Sequence, residues 1–512
     1  MAVKKTSKKS PAKKQAKKIA KKAVKKSSKQ VVKSDSPFAN SGTRLHDILP
    51  SDNYREFMKH GWADSSLKNV TAHESVAFTK KRRAELSKDY KGWRIVLPAG
   101  NLKVRSNDDD YRFRAHSAFA WFTGIGAADA VPDSVLVMEP TSKGHEALLF
   151  IHPRSPRDTD EFYRNAKHGE FWVGRRLTQS ETEKRYGISV RHIDTLPAFL
   201  KKSRKTVSIP GEDKAIDKLI KGKPEDHKAF ITHISEMRAV KDEYEINEMK
   251  KAIATTARGF DDMVSNLKRA VKSPRGERVL EGTFISRAIE EGNDTGYPTI
   301  VASGAHACVL HWIRNDGKVK NGDLILIDAG AETDAYYTAD ITRTVPVSGK
   351  FTKAQRRIYD LVYAAQEAAM LVARPGVEYG EMHKAAQRVF AHGLEELGVL
   401  PMSAEECLKV ENGLQRRWTV HSTGHHLGID VHDCAQARKE NYTLGKLKEG
   451  MILTIEPGLY IQEDDELFPP EYRGIGVRIE DDFLITKNGN INLSGGIPRH
   501  ADDVEKWVRK LS

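Results

Sequence analysis

The chain has 512 residues, of which 39% are hydrophobic and 30% are charged, a composition typical of a globular protein with two or three domains. No stretch approaches the roughly 18 consecutive apolar residues that a membrane-spanning helix needs, and no apolar signal region follows the basic N-terminus. Three widely spaced cysteines exclude a disulfide framework and a CxxC metal site. This cysteine usage favours a reducing compartment, and we expect a cytoplasmic protein.

The net charge of +14 is located at the N-terminus. Residues 1–33 contain fourteen lysines and no arginine, aspartate or glutamate, and the remaining chain has 70 basic and 70 acidic residues. Repulsion between the lysines predicts a disordered tail. Three roles stay open for it: a solubilising extension, a tether for nonspecific nucleic-acid binding, and a targeting sequence. The lack of arginine counts against a mitochondrial presequence.

Residues 1–43 are therefore assigned to a disordered lysine-rich tail and a linker rich in Ser, Asp, Pro and Gly. Between residues 44 and 240, strand-like segments alternate with helical ones, which predicts an α/β domain. The strand-like segments are Trp93–Leu97, Val135–Met138 and Ala147–Ile151.

The pattern changes near residue 240, and residues 241–512 are predicted to form a second domain of mixed helices and strands. A long amphipathic helix opens it, with apolar residues at helical spacing from Ile246 to Ala257. Thr352 is predicted to cap a further helix that ends near Pro375. The fold class is thus α/β (α+β).

Two carboxylates flank a predicted hairpin in the second domain. Asp328 follows the apolar strand Leu324–Ile327, and Asp340 lies twelve residues later. Gly330 and the polar turn at residues 332–334 would fold the two segments together. We therefore expect the two carboxylates to lie within a few ångström of each other.

Two further carboxylates occupy similar apolar surroundings. Glu456 ends the strand-like run Met451–Ile455, and Glu480 lies in a predicted strand at residues 476–481. A buried, unpaired carboxylate costs several kcal/mol, and a divalent cation offsets that cost. Four such carboxylates predict a paired metal site, for which manganese, cobalt or zinc is suited.

Four histidines lie between residues 421 and 432: His421, His425, His426 and His432. One is predicted to be a metal ligand, and the others to donate hydrogen bonds to a substrate carbonyl or an intermediate. Periodicity does not decide which of His425 and His426 faces the metals. The sequence lacks a GxSxG elbow, an HExxH helix and a P-loop. Cys434 is interpreted as a chance neighbour of the cluster rather than a nucleophile.

These segments together resemble the pita-bread metallopeptidases, and among them the aminopeptidase P (Xaa-Pro aminopeptidase) family. The similarity extends over about residues 70–505 and includes the approach segment from Thr299 to His311. Residues 111–124 and 171–176 resemble the N-terminal domain of that family more than they resemble prolidases. The resemblance implies an N-terminal α/β domain followed by a catalytic pita-bread domain.

The resemblance also implies a role for each residue of the site. Two divalent metal ions, Mn²⁺ first and Co²⁺ or Zn²⁺ as alternatives, would bind to Asp328, Asp340, His425, Glu456 and Glu480. A hydroxide between the metals would attack the scissile carbonyl, with Glu456 as proton shuttle. The other expected catalytic residues are His311, His421, His432 and Arg478, and the expected substrate-binding residues are His311, His432, Tyr460 and Arg478.

The expected activity is release of the N-terminal residue from peptides with proline in the second position. The alternatives are a prolidase and, more remotely, an inactive pita-bread protein that binds nucleic acid. The family resemblance implies a homo-oligomer, a dimer or a tetramer, in which the N-terminal domain of one subunit borders the active site of another. The sequence departs from the family in the twelve-residue spacing of the two aspartates, in His426 and in the lysine-rich tail.

Overall fold

The computed structural model describes residues 50–512, and the predicted lysine-rich tail and linker, residues 1–43, lie outside this range. The described chain forms two compact units, residues 50–227 and Lys228–Ser512. Within residues 50–512, no helix combines the length and the apolar character that crossing a membrane requires. The domain boundary at residues 240 and 241 stays a prediction.

The first unit is built on a five-stranded sheet with the strand order β6-β5-β4-β1-β7. Strand β4 pairs antiparallel with both β1 and β5, whereas β7 and β6 are parallel to their neighbours. Its strands are β1 Arg94–Pro98, β2 Val104–Ser106, β3 Asp109–Asp110, β4 Val135–Thr141, β5 Gly144–Ile151, β6 Ser189–His192 and β7 Thr206–Ser208. Its helices are α1 Asp52–Met58, α2 Val76–Asp89, α3 Ser117–Thr123, α4 Glu161–Arg164, α5 Glu170–Val173, α6 Gln179–Tyr186, α7 Leu196–Leu200 and α8 Lys214–Leu219.

The second unit surrounds its core with long helices and short antiparallel sheets. Helix α9, Pro224–Met237, extends across the division between residues 227 and 228. The helices that follow it are α10 Glu243–Ser265, α11 Leu267–Lys272, α12 Gly276–Glu291, α13 Lys353–Val372, α14 Gly380–Glu396, α15 Ala404–Cys407 and α16 Ala501–Leu511. The strands are β8 Asp294–Thr295, β9 Ile300–Ser303, β10 Leu324–Ala329, β11 Ala331–Glu332, β12 Ile341–Pro346, β13 Ile452–Ile455, β14 Gly458–Tyr460, β15 Gly476–Arg478, β16 Asp481–Thr486 and β17 Gly489–Asn492. They form the sheets β12-β10-β9, β13-β16-β17, β11-β8 and β14-β15.

The two predicted long helices are observed, each begins with a capping box, and the predicted cap Thr352 is confirmed. Asp242 precedes α10 and forms a reciprocal capping box with Glu245, and Thr352 does the same with Gln355 at the start of α13. The apolar stripe of α10 is buried at Met249 and Ile253. These caps satisfy backbone donors that would otherwise lack partners, which explains why both helices begin where they do.

The predicted strands are also observed, with ends that differ by at most three residues. One strand prediction is wrong: Glu480 does not lie within a strand. It occupies the short connection between β15 and β16, where its backbone N–H donates to the carbonyl of Thr342 at 3.1 Å. Strand β15 pairs with β14, whereas the next strand, β16, pairs with β13. Glu480 lies where the chain passes from one sheet to the other, beside β12.

Candidate active site

The hairpin predicted around Asp328 is present. Strands β10 and β12 pair antiparallel, with Asp328 opposite Thr342 and Ala329 opposite Ile341, so Asp340 comes directly before the paired region. The connection between them contains the short strand β11 and a residue in the left-handed region, Tyr336 at φ 70°. The hairpin therefore accommodates the twelve-residue spacing and brings the two aspartates together.

Tyr297 joins these two aspartates directly. Its hydroxyl lies 2.7 Å from Asp328 Oδ1 and 2.6 Å from Asp340 Oδ1. Sequence reasoning missed this residue, although it lies two positions before the approach segment that begins at Thr299. A tyrosine hydroxyl has one proton, so it can donate to only one carboxylate at a time. Tyr297 therefore holds Asp328 and Asp340 together in one site.

The segment that contains the histidines runs beside strand β13. The backbone N–H of Thr454 donates to the carbonyl of His425 at 2.9 Å, and that of Glu456 donates to Thr423 at 2.8 Å. A Cβ at Gly424 would lie 2.1 Å from the Thr454 carbonyl oxygen, so this close approach requires glycine. This pairing places His425 next to Glu456.

His425, not His426, faces the carboxylates. Its Nε2 lies 3.2 Å from Asp340 Oδ2 and 3.6 Å from Glu456 Oε1, while its Nδ1 donates to the carbonyl of His426. That second bond fixes the ring and leaves Nε2 directed toward the site. The atoms that Asp340, His425 and Glu480 offer to a metal all lie within 4.8 Å of one another.

His426 belongs to the packing of the second unit. Its ring stacks on Tyr379 at a centroid distance of 6.0 Å and lies 4.6 Å from the ring of Tyr442. Burial lowers the pKa of His426 to about 3, so the imidazole is neutral at physiological pH. The residue thus packs as an apolar or aromatic side chain would, which is the type that the family resemblance leads us to expect at this position.

Glu480 and Arg478 complete the cluster from the β15–β16 connection. The Thr342 hydroxyl donates to Glu480 Oε2 at 2.6 Å, and Arg478 Nη2 donates to Asp328 Oδ2 at 2.6 Å. Arg478 also donates to the Thr342 hydroxyl at 3.1 Å. All five predicted metal ligands are therefore connected in one network, together with Arg478.

The electrostatics of this cluster favour a bound cation. Burial raises the pKa of Glu480 well above its ordinary value and that of Glu456 to about 7, and the neighbouring aspartates add to both shifts. The His425 ring is also buried, but Asp340 and Glu456 raise its pKa to about 9. The buried carboxylates thus exceed the cations that the protein supplies. Oxygen ligands with one imidazole fit a pair of divalent metals.

A second chain of hydrogen bonds extends from the carboxylates through Arg478. Arg478 Nη1 donates to the Tyr460 hydroxyl at 3.0 Å, and Tyr460 in turn lies 2.8 Å from His421 Nε2. Because His421 Nδ1 contacts the carbonyl of Ser422, Nε2 is the acceptor for the tyrosine proton. Burial and the charge of Arg478 lower the pKa of His421 to about 4.

The two remaining predicted residues, His432 and His311, lie near the same histidines. The His432 ring packs edge-on against His425 at a centroid distance of 4.5 Å. His311 is exposed, and a proton on its ring would lower the pKa of both His421 and His432. The structure thus brings every predicted site residue to one place, with His311 at the solvent side.

A further carboxylate, Asp482, was not singled out from the sequence. It is fully buried, and the backbone N–H of Asp340 donates to its Oδ2 at 3.3 Å. Burial and the charge of Asp340 raise its pKa well above the ordinary value. The adjacent pair Asp481-Asp482 directly follows Glu480 in the chain, and that position is the signal that sequence reasoning could have used.

Comparison with known proteins follows the same division of the chain. The model of metallopeptidase family M24 matches residues 247–487, and that of the aminopeptidase P N-terminal domain matches residues 79–209. Xaa-Pro aminopeptidase 1 of Streptomyces coelicolor is 50% identical over 476 residues, 91% of this chain and 94% of the relative. Xaa-Pro aminopeptidase of Escherichia coli is 33% identical over 453 residues, 84% of this chain and 96% of the relative.

Solved structures agree with these relatives. Zinc-substituted aminopeptidase P of E. coli in complex with product superposes with a TM-score of 0.75 at 30% identity, covering 86% of this chain and 100% of that one. The same enzyme with the inhibitor Pro-Leu gives a TM-score of 0.74, with 86% and 99% covered. Both matched regions and the full-length relatives lead to one assignment. The chain belongs to the aminopeptidase P family of the M24 metallopeptidases.

Proposed function

We propose that this protein is a metal-dependent Xaa-Pro aminopeptidase, which releases the first residue from peptides with proline in the second position. The observation that carries the proposal is the cluster of buried carboxylates around His425. Asp340, His425 and Glu480 present ligand atoms within 4.8 Å of one another, and Glu456 lies 3.6 Å from the same imidazole. The names of the relatives supply the substrate class.

Two divalent cations would be held by Asp328, Asp340, His425, Glu456 and Glu480, with Mn²⁺ as our first choice. When bound, such cations lower the pKa of a water molecule and neutralise the negative charge that develops on a carbonyl oxygen. The protein contributes a fixed set of ligands. Tyr297, Thr342 and Arg478 hold three of the carboxylates by hydrogen bonds of 2.6–2.7 Å.

Glu456 is suited to move a proton. Its pKa of about 7 in the metal-free protein shows that its surroundings stabilise the protonated form, although a cation will lower that value. It would accept a proton from the attacking water and deliver it to the proline nitrogen that leaves.

The histidines and Arg478 would position the peptide. The imidazole of His432 packs on His425 and can donate to the scissile carbonyl, while exposed His311 is placed to meet the substrate from solvent. Arg478 and Tyr460 form a fixed wall because each is held by hydrogen bonds and almost fully buried. His421 accepts the Tyr460 proton and keeps that wall in one orientation.

Hydrolysis of Arg-Pro-Pro and of Arg-Pro tests this function. We expect release of arginine from the tripeptide with added Mn²⁺, little release from the dipeptide, and loss of activity after chelation. Refilling the chelated protein in turn with Mn²⁺, Co²⁺ and Zn²⁺ ranks the metals. A Glu456→Ala variant is the matched control, because it removes one ligand and the proton carrier.

Other outcomes lead to different assignments. Preference for the dipeptide would make the protein a prolidase. Failure to cleave either peptide with metal bound would contradict the peptidase and leave the inactive, nucleic-acid-binding alternative. The complete ligand set argues against that alternative, because a protein of this fold that has lost its activity normally lacks one or more of the metal ligands.

The remaining proposals concern assembly and location. A homo-oligomer, a dimer or a tetramer, is supported by the exposed apolar side chains Phe171, Trp172 and Val173, which are 67%, 50% and 46% accessible. Free, buried cysteines at all three positions fit the reducing cytoplasm. We keep the domain limits 44–240 and 241–512, and assign nonspecific nucleic-acid binding to residues 1–33.

A further inference from the structure

A groove in the first unit has an unbalanced charge. It has a volume of about 950 Å³ and lies between one face of helix α2 and the turn that joins β4 to β5. Five basic side chains line it, and no aspartate or glutamate of the described chain does. They are Lys80, Arg83, Lys88, Lys91 and Lys143. Outside the tail the chain has equal numbers of basic and acidic residues, so this local excess stands out.

The spacing in α2 explains how the basic face forms. Lys80, Arg83, Ser87 and Lys91 follow one another at intervals of three or four residues, which places them on one side of the helix and its C-terminal extension. Lys143 approaches from the opposite wall, in the turn between β4 and β5. The groove is therefore basic on both sides.

None of these five cations forms an ion pair with any residue between 50 and 512. Elsewhere in the same unit, basic side chains are paired, as Arg94 is with Glu139 at 2.6 Å and Arg154 with Glu170 at 2.6 Å. Unpaired basic groups crowded into one groove repel one another, and an anion relieves that repulsion.

Arg83 gives the groove a buried anchor. It is 6% exposed, and its one hydrogen bond goes to the carbonyl of Phe122 at 2.5 Å. Burial and the charge of the adjacent Arg82 lower the pKa of Arg83 to about 10, since no carboxylate compensates them. A buried guanidinium that lines a cavity with donors to spare is suited to a phosphate oxygen.

The remaining residues of the groove favour contacts with phosphate groups over contacts with bases. Its histidine, His145, contacts the Ser87 hydroxyl at 2.8 Å and the Trp93 carbonyl at 2.7 Å, so both ring nitrogens are occupied. The lining contains no Phe, Tyr or Trp on which a base could stack. The four lysines of the groove are exposed, and lysines contact phosphates as point charges that read no sequence.

We propose that this groove binds a chain of linked phosphate groups, as in a nucleic-acid backbone, independently of the lysine-rich tail. Arg83 contacts a phosphate at the floor of the groove, and the four lysines contact its neighbours along the chain. Binding is independent of base sequence. Inorganic polyphosphate presents the same chemistry without sugar or base.

The test compares two variants of the full-length chain, both of which keep the tail. In the groove variant, Lys80, Lys88, Lys91 and Lys143 are changed to glutamine. In the control variant, four exposed lysines of the same unit outside the groove are changed to glutamine: Lys201, Lys202, Lys214 and Lys218. The two variants have equal net charge, and hydrolysis of Arg-Pro-Pro verifies that both are folded.

Affinity for a labelled 12-nucleotide single strand is measured from 50 to 300 mM salt, with inorganic polyphosphate as competitor. For the groove variant we expect a slope of log K against log salt that is smaller by about 2 to 3, and affinity about tenfold weaker or more near 100 mM salt. The control variant should match the unmodified protein. If the groove substitutions weaken polyphosphate binding but not oligonucleotide binding, the groove selects free polyphosphate. Equal slopes and affinities of the two variants for both probes would overturn the proposal.

Discussion

The Lys241 ammonium lies 2.9 Å from the Asp433 carboxylate, and both side chains are almost completely buried. Arg238 approaches the same carboxylate at 3.2 Å. Gly428 passes beside the pair, where a Cβ would lie 2.4 Å from Asp433 Oδ2. The backbone N–H of Asp433 donates to the carbonyl of His426. This ion pair therefore fixes the loop that positions the site histidines.

Removing the ammonium should destabilise the protein and disturb that loop. For Lys241→Met we expect a loss of about 3–5 kcal/mol in the free energy of unfolding, because the variant leaves a buried carboxylate with one partner fewer. Unfolding in urea measures the loss. The double variant Lys241→Met/Asp433→Leu should recover part of it, and two additive losses would contradict the pairing.

Much of the fold could be predicted because local signals determine it. The predicted cap Thr352 satisfies a backbone donor within its own helix, so it marks the helix start without tertiary information. The strand Leu324–Ile327 could also be predicted from local sequence, because all four of its residues are apolar. The break at Glu480 was missed, since pairing of β16 with β13 decides it across the fold.

The site was predicted through the carboxylates because their apolar surroundings require a compensating charge. Tyr297 has no such signal: a tyrosine beside a proline is ordinary in sequence, and its contact with two aspartates arises when the chain before β9 reaches β10. The choice between His425 and His426 was likewise settled by tertiary packing, with His426 against Tyr379.

Tyr297→Phe should weaken metal binding more than it affects folding. The substitution removes the hydroxyl that lies 2.7 Å from Asp328 and 2.6 Å from Asp340, and leaves the ring in place. We expect affinity for Mn²⁺ to fall by about tenfold or more, as for other groups that orient metal ligands. Calorimetric titration of the chelated protein measures it. Unchanged affinity would exclude a role in orienting the ligands.

The stability of the metal-free protein should depend on pH through the protonation of Glu456. Its pKa is raised from the ordinary 4.5 to about 7 in the folded state. The stabilisation by this group is therefore fully present below pH 4.5 and is lost as the pH rises through 7. Relative to Glu456→Gln, the chelated protein should lose about 3 kcal/mol of stability between pH 4.5 and 7.5. Urea unfolding at both pH values measures this difference, and a constant difference would contradict the shift.

The stability of the first unit should depend on pH in the opposite direction, through His152. The imidazole stacks on His168 at a centroid distance of 3.7 Å. His168 Nδ1 accepts from Arg176 at 2.8 Å, and its Nε2 faces Asp133 at 3.2 Å. Burial and the neighbouring His168 lower the pKa of His152 to about 2, so the folded protein keeps this ring neutral. Asp133, His152 and His168 lie close enough to hold a metal. However, the Nδ1 atom of His168 already accepts a hydrogen bond from Arg176.

Because the pKa of His152 is lower in the folded state, the unfolded chain binds the additional proton as the pH falls below about 6.5. The stability that this histidine contributes is thus present above pH 6.5 and declines by about 2–3 kcal/mol by pH 4.5. His152→Phe keeps an aromatic ring on His168 and removes the titration. Its stability relative to the unmodified protein should rise by that amount between pH 6.5 and 4.5, measured by urea unfolding with metal present in both samples. A difference that does not change with pH would mean that His152 is protonated, or exposed to solvent, in the folded protein.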